Sequence, residues 1–74
     1  MTKTSGDHLD NKIRELRARH RMTQAELAKE IGVSRQTIVA VEKGEYNPSV
    51  VMAIRIAKLF EEPVETIFWL NEPL

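Results

Sequence analysis

The apolar positions near the start of the chain recur at the spacing of an amphipathic helix. Leu9, Ile13 and Leu16 follow one another at intervals of four and three residues, so all three lie on one face of a helix. We predict this first helix over roughly residues 9–19, with Asp7 as its N-cap. The polar stretch before it, residues 1–7, has no periodicity and is predicted to be a flexible N-terminal arm.

Capping patterns mark a second and a third helix. Thr23 stands three residues before Glu26, as in a capping box, and predicts a helix over about residues 23–31. Ser34 is placed to cap a third helix over about residues 34–43. The inward-facing apolar residues are predicted to be Leu27, Ala28 and Ile31 in the second helix and Ile38 and Val41 in the third.

The third helix carries apolar residues on two sides. Ile38 and Val41 define the inward direction of a helical wheel. The residues on the opposite side are Gln36, Val39, Ala40 and Lys43, with Arg35 at the edge. Val39 and Ala40 are therefore either part of a surface that contacts a partner or ordinary exposed apolar residues, which are common on any protein.

The connection between the second and third helices is the short sequence Ile-Gly-Val-Ser at residues 31–34. Gly32 can adopt a positive φ without a Cβ clash, which lets the next helix leave at a steep angle. The pair is therefore predicted to form a helix-turn-helix. Ala28 is expected to be small because the third helix crosses closely over it.

Two more helices and a tail are predicted after residue 48. A fourth helix is expected over about residues 49–61, and Pro63 fits the first turn of a short fifth helix at about residues 64–68. Their predicted core residues are Val50, Ala53, Ile54, Ala57 and Phe60, followed by Val64, Ile67 and Phe68. The predicted architecture is a compact all-α domain of five helices at residues 8–68, followed by a C-terminal tail at residues 69–74.

Length and charge narrow the class of function. A chain of 74 residues forms one domain with a modest core and little room for a deep substrate pocket, which argues against an enzyme. Eleven basic and eleven acidic residues cancel, but residues 1–43 carry nine against six, or +3, and residues 44–74 carry two against five, or −3. This asymmetry indicates either a cationic working face in the first part of the chain or scatter on a solvated surface.

Several kinds of site and location are not expected. The chain has no cysteine, and its two histidines, His8 and His20, lack a surrounding ligand cluster, so we predict no metal and no cofactor. No small-molecule ligand is indicated. The apolar runs are too short to cross a bilayer and no apolar signal segment follows the start, so we expect a cytoplasmic protein without membrane contact.

The stretch MTQAELAKEIGVSRQTIVAVEKGEYNPS, residues 22–49, resembles the Cro and phage-repressor type of helix-turn-helix regulators, often called XRE-like. Several features coincide: Thr-Gln at the start of helix two, the Leu-Ala pair, Ile-Gly-Val-Ser, the Glu-Lys-Gly exit and Asn-Pro-Ser. The resemblance covers roughly residues 9–68. It implies a lambda-repressor-like fold and a small transcriptional regulator, in the first place a repressor, that binds double-stranded DNA as a homodimer on a near-palindromic operator.

The outward face of the third helix then corresponds to the surface that enters the major groove. There glutamine can pair with adenine, arginine with guanine, and apolar groups can contact a thymine methyl. The predicted base-reading residues are Ser34, Arg35, Gln36, Val39 and Ala40. Many relatives carry longer polar residues at the positions of Val39 and Ala40, so less of the specificity would come from direct hydrogen bonds here.

Contacts with the DNA backbone are expected at the edges of this surface. In the family, the glutamine near the start of helix two donates to the backbone, and the N-terminus of that helix offers free amides to a phosphate. The predicted backbone-contacting residues are Gln24, Thr37, Lys43, Tyr46 and Asn47. Tyr46 has the alternative of packing on its own domain. Arg14, Arg17, Arg19 and Arg21 either reach the backbone or serve solubility, and the sequence identifies no partner for Arg17.

The end of the chain is the predicted dimer contact. Phe68, Trp69 and Leu70 form an apolar segment that can pair with a second copy, as helix or as strand. The alternative for Trp69 is that it folds back to complete the core. A second class of function is a protein-binding module on the same fold, such as an antitoxin or an adaptor, for which a stoichiometric protein partner would be the indication.

Overall fold

The computed structural model describes residues 9–71, and this part of the chain contains five helices and two short strands. In chain order they are β1 (Leu9–Asn11), α1 (Ile13–Arg19), α2 (Gln24–Ile31), α3 (Arg35–Glu42), α4 (Val50–Phe60), α5 (Val64–Ile67) and β2 (Phe68–Leu70). The prediction of five helices is confirmed, but all-α is only approximate because of the strands. The predicted arm at residues 1–7, the cap at Asp7 and the tail beyond residue 71 lie outside the described residues.

The two strands correct the prediction for both ends of the domain. β1 replaces the first turns of the predicted first helix and pairs antiparallel with β2, so that Asp10 lies opposite Trp69. The Asn11 side-chain oxygen accepts the N–H of Ile13 at 3.1 Å, which supports the start of α1 at that residue. The pairing partners are about 60 residues apart in the chain, so a periodicity measured within one segment does not detect them.

One apolar core lies between the helices, and its positions in α1, α2 and α3 are those predicted. The buried residues are Ile13, Leu16, Leu27, Ala28, Ile31, Ile38, Val41, Met52, Ile56, Phe60, Ile67 and Phe68. Ala28 is 3% exposed, in agreement with its predicted place under the crossing of α2 and α3. The core therefore sets the orientation of α3 and leaves its opposite side for other contacts.

The buried face of α4 differs from the prediction. Phe60 is buried as predicted, but Val50 and Ile54, which were also expected in the core, are 75% and 43% exposed. Met52 and Ile56 are buried in their place. Ser49 caps the helix by accepting the N–H of Met52 at 3.1 Å. Apolar residues occur on nearly every side of this helix, so their spacing alone did not determine which side faces inward.

The chain end contributes one residue to the core and leaves two exposed. Phe68 is 6% exposed, so its side chain belongs to the core and is not available for the predicted dimer contact. Trp69 and Leu70 are 43% and 57% exposed, which contradicts the alternative that Trp69 is enclosed by the core. Tyr46 is 52% exposed, so about half of its surface is open to an outside partner and the rest is covered by its own domain.

Two kinds of feature are absent from the described part of the chain. Between residues 9 and 71, no helix has the length and apolar composition that crossing a membrane requires. Over the same residues no group of three or more His, Cys, Asp or Glu side chains is arranged to hold a metal ion.

Candidate nucleic-acid interface

The start of α2 is held by the predicted capping box. Thr23 Oγ1 accepts the N–H of Glu26 at 3.0 Å, and the Glu26 carboxylate accepts the N–H of Thr23 at 2.8 Å. These reciprocal bonds satisfy two backbone donors of the first turn. Thr23 is therefore engaged as a cap, and the neighbouring Gln24 occupies the first helical position with its side chain directed elsewhere.

The turn after α2 has the geometry that its glycine predicts. Gly32 has φ 78° and ψ 34°, in the left-handed region. Its N–H and that of Val33 both donate to the Ala28 carbonyl, at 2.9 and 3.0 Å. Arg55 of α4 donates to the Ile31 carbonyl at 3.0 Å. The end of α2 is thus hydrogen-bonded by local backbone and by a distant side chain, and the direction of α3 follows from it.

The first turn of α3 presents two side chains without internal partners. Ser34 caps the helix by accepting the N–H of Thr37 at 3.1 Å, and the two hydroxyls are also hydrogen-bonded to each other at 2.9 Å. Arg35 and Gln36 are exposed, and neither side chain is hydrogen-bonded within residues 9–71. These two residues are consequently free to contact an external molecule, whereas Ser34 and Thr37 already bond to each other.

The remaining outward residues of α3 lie on its two flanks. Val39 and Ala40 are half-buried rather than fully exposed, and Lys43 is exposed at the C-cap. Arg35, Val39 and Lys43 line the side of α3 that faces α1 and α2. Helical geometry puts Ala40 and Thr37 on the other flank, so the predicted base-reading residues form a ridge with Gln36 near its centre.

An open cleft of about 560 Å³ lies between α3 and the facing parts of α1 and α2. Four cationic side chains and one carboxylate line it, so its net charge is positive. The lining residues are Arg14, Arg17, Thr23, Gln24, Ala25, Arg35, Val39, Glu42 and Lys43. Such a cleft beside an exposed helix attracts a polyanion. Of the arginines whose role the sequence left open, Arg14 and Arg17 lie here, and Arg19 and Arg21 do not line it.

A nearly buried ion pair lines this cleft. Arg17 Nε donates to Glu42 Oε2 at 2.6 Å, and Arg17 Nη2 donates to Glu42 Oε1 at 3.1 Å. The side chains are 14% and 8% exposed. Arg17 Nη1 also donates to the Met22 carbonyl at 3.0 Å. No sequence pattern indicated this pair, because its members are 25 residues apart on different helices.

The same carboxylate orients Gln24. Gln24 Nε2 donates to Glu42 Oε1 at 3.2 Å, which links the start of α2 to the end of α3. The amide of Gln24 keeps its oxygen and a second N–H for an outside partner. Glu42 is neutralised by Arg17, and Arg14, Arg35 and Lys43 form no ion pair among residues 9–71, so the unpaired positive charge of the cleft belongs to these three residues.

Comparisons with known proteins find helix-turn-helix proteins that are similar to this chain. The family model described as "Helix-turn-helix" matches residues 13–67. The uncharacterised HTH-type transcriptional regulator YgzD of Bacillus subtilis is 47% identical over 64 residues, which is 86% of this chain and 97% of YgzD. The cryptic phage CTXphi transcriptional repressor RstR of Vibrio cholerae is 37% identical over 54 residues, or 73% of this chain and 49% of RstR.

A solved structure has the same fold. The crystal structure of the transcriptional regulator VanUg superposes with a TM-score of 0.78 at 23% identity and covers 99% of this chain and 97% of that one. At this identity the likeness concerns the fold alone.

Proposed function

Because this chain belongs to the helix-turn-helix family of DNA-binding transcriptional regulators, which are not enzymes, we propose that it inserts α3 into the major groove of a specific operator. The observation that carries the proposal is the pair of free, exposed side chains at the first turn of α3, Arg35 and Gln36, next to a cationic cleft. A helix in the groove with its first turn near base edges brings these two side chains to the bases.

The base-reading residues of the proposal are Ser34, Arg35, Gln36, Val39 and Ala40. Arg35 and Gln36 provide the hydrogen bonds, to guanine and adenine respectively, because both side chains are long and uncommitted. Val39 and Ala40 provide apolar contact on either side of Gln36, which suits a thymine methyl. Ser34 contributes least, since its hydroxyl is engaged in the cap.

The backbone-contacting residues of the proposal are Gln24, Thr37, Lys43, Tyr46 and Asn47. Gln24 is the best supported, because its bond to Glu42 holds the amide at the cleft while one N–H stays free. Lys43, Tyr46 and Asn47 are exposed at the exit of α3, where a phosphate next to the groove would lie. Arg14 lines the cleft from α1 and joins this set.

We further propose a homodimer on a near-palindromic operator that represses by occlusion, in a cytoplasmic setting. A single module of this size buries too little surface on DNA for high selectivity, and a two-fold dimer doubles the site. The relative RstR carries the name of a repressor, which favours repression here as well. Occlusion needs only tight occupancy of the operator and no additional domain.

The decisive experiment is selection of bound duplexes from a random pool, followed by titration of variants on the selected site. Gln36→Ala should relax preference at one or two base pairs by about 1–3 kcal/mol. Lys43→Ala should instead weaken all sequences alike and reduce the salt dependence of binding. Lys58→Ala, which removes an exposed lysine of α4 outside the cleft, is the matched control and should leave binding unchanged.

Two results would contradict the proposal. If Gln36→Ala kept both affinity and sequence preference, α3 would not be the reading helix. If the protein ignored duplexes in dilute buffer and instead copurified with a stoichiometric protein partner, the protein-binding module would be the better interpretation.

A further inference from the structure

The outer edge of β2 has no strand neighbour among residues 9–71, because the sheet described there consists of β1 and β2 only. The register pairs Asp10 with Trp69 and Asn11 with Phe68, so it places Lys12 opposite Ile67. The N–H of Lys12 donates to the Ile67 carbonyl at 3.0 Å, which makes these two residues a hydrogen-bonded pair. Hydrogen-bonded pairs alternate along an antiparallel ladder, so Asp10 and Trp69 form the next one. The backbone N–H and C=O of Leu70 therefore point away from β1.

This edge offers one complete rung for a further strand. At Phe68 the N–H already donates to the Val64 carbonyl, so only its C=O is free on that side. Among residues 68–70, Leu70 is therefore the one residue whose N–H and C=O are both available to a further strand. A rung centred on one residue is what a two-fold axis requires, because the N–H and C=O of the same residue in two copies bond reciprocally.

The side chains at this edge suit contact with an identical strand. Trp69 and Leu70 are substantially exposed, and residues 68–71 contain no charged residue. Two copies can therefore approach without opposing like charges. Asn71 Nδ2 donates to the Asp10 carboxylate at 3.0 Å, so the residue that follows β2 is also held beside β1.

We propose that two copies of this chain dimerise by antiparallel pairing of their β2 strands about a two-fold axis at Leu70. The N–H of Leu70 donates to the carbonyl of Leu70 of the partner subunit, and the reverse bond completes the rung. Trp69 then lies opposite Asn71 of the partner subunit, and the two β2 strands become the centre of a four-stranded sheet. This inference rests on the homodimer in the proposed function and specifies its surface.

The first test uses the absence of cysteine from the whole chain. In the proposed rung the two Leu70 Cα atoms are about 5.5 Å apart, within the range that a disulfide spans. Leu70→Cys should therefore cross-link rapidly to a dimer under mild oxidation. Val50→Cys, at a position that is 75% exposed on α4, is the control and should stay monomeric on denaturing gels. Equal cross-linking of the two variants would overturn the proposal.

The second test measures the dimer itself by sedimentation equilibrium of the full chain. Leu70→Pro removes the outward N–H without touching the pair formed by Asp10 and Trp69, and should raise the dimer dissociation constant by roughly tenfold or more relative to Leu70→Ala. The emission of Trp69, the only tryptophan, should shift to the blue as wild-type protein dimerises. Circular dichroism of each variant verifies folding; if Leu70→Pro does not fold, the cysteine pair decides.

The outcomes separate this inference from the proposed function. A wild-type protein that stays monomeric at all concentrations, with and without operator, overturns the dimer surface, while a gel shift independently reports DNA binding. If the wild type dimerises but Leu70→Pro and Leu70→Ala have the same dimer dissociation constant, the proposed β2 surface is wrong. The proposal of a DNA-binding regulator is unaffected by that result. Because residues 68–71 are uncharged, the dimer constant should change little with salt, in contrast to the affinity for DNA.

Discussion

Replacement of Glu42 by glutamine tests how much its ion pair with Arg17 contributes to the stability of the fold. The carboxylate accepts two hydrogen bonds from Arg17 and one from Gln24, so it joins the ends of three helices. Glu42→Gln keeps the shape and one acceptor oxygen but removes the charge. Arg17 then retains its bond to the Met22 carbonyl and loses its counter-ion in a place where it is only 14% exposed.

The expected loss in free energy of unfolding lies between two limits. Breaking a fully buried ion pair costs about 3–5 kcal/mol, and an exposed pair contributes about 0–1 kcal/mol. With side chains that are 14% and 8% exposed, this pair is nearer the buried limit, and the hydrogen bonds that the new amide oxygen could keep reduce the loss. We therefore expect Glu42→Gln to destabilise the fold by about 2 kcal/mol. For 74 residues the whole stability is about 4–11 kcal/mol, so the change is readily measured.

The assay is urea denaturation at pH 7, followed by helical circular dichroism. Glu15→Gln is the matched control, because Glu15 pairs with Arg19 one helical turn away and both side chains are more than half exposed. It should cost less than about 0.5 kcal/mol. A double-mutant cycle of Arg17→Met with Glu42→Leu should give a coupling of about 1.5 kcal/mol or more. A loss below about 0.5 kcal/mol for Glu42→Gln would refute the reasoning.

Three further predictions concern other parts of the fold. Ile56→Ala should cost about 2–5 kcal/mol in urea denaturation, whereas Val50→Lys should change stability by less than about 0.5 kcal/mol; the reverse order would show that α4 packs by the other face. Gly32→Ala should cost about 1 kcal/mol or more because φ is 78°, and an unchanged midpoint would contradict that strain. The hydrogen bond from Lys12 lowers the pKa of Glu62 below its ordinary value of 4.5. The wild type should therefore have a higher melting temperature than Glu62→Gln at pH 7 and lose this advantage as the pH falls below 4.5. An advantage that persisted in acid would exclude this cause.

The parts of the structure that depend on neighbouring residues were predictable from the sequence. The capping box at Thr23, the cap at Ser34 and the left-handed turn at Gly32 each involve groups within about five residues of one another. Local backbone chemistry determines such features, since only certain side chains reach the free amides of a helix start and only glycine adopts a positive φ without strain. The position of α3 and its outward face followed from them.

The parts that the sequence did not indicate depend on distant residues. The strand pairing of Asp10 with Trp69 and the ion pair of Arg17 with Glu42 join segments whose proximity exists only after folding. The error in α4 has a different cause, because a helix with apolar residues on most sides has no polar side to mark the solvent. Val50 and Ile54 were therefore as plausible in the core as Met52 and Ile56.

The distribution of charge predicts that the proposed DNA contact and the proposed dimer contact respond differently to salt. Among the described residues that line the cleft, the only carboxylate is that of Glu42, and Arg17 neutralises it. Arg14, Arg35 and Lys43 therefore act on an approaching phosphate without a lining acid to oppose them. At the β2 edge there is no charge at all between residues 68 and 71. Salt should therefore weaken the DNA contact steeply and the dimer contact little, because counter-ion release accompanies only the first. It follows that the protein should dissociate from its operator in concentrated salt as an intact dimer, and dissociation as monomers would show that the two contacts are not independent.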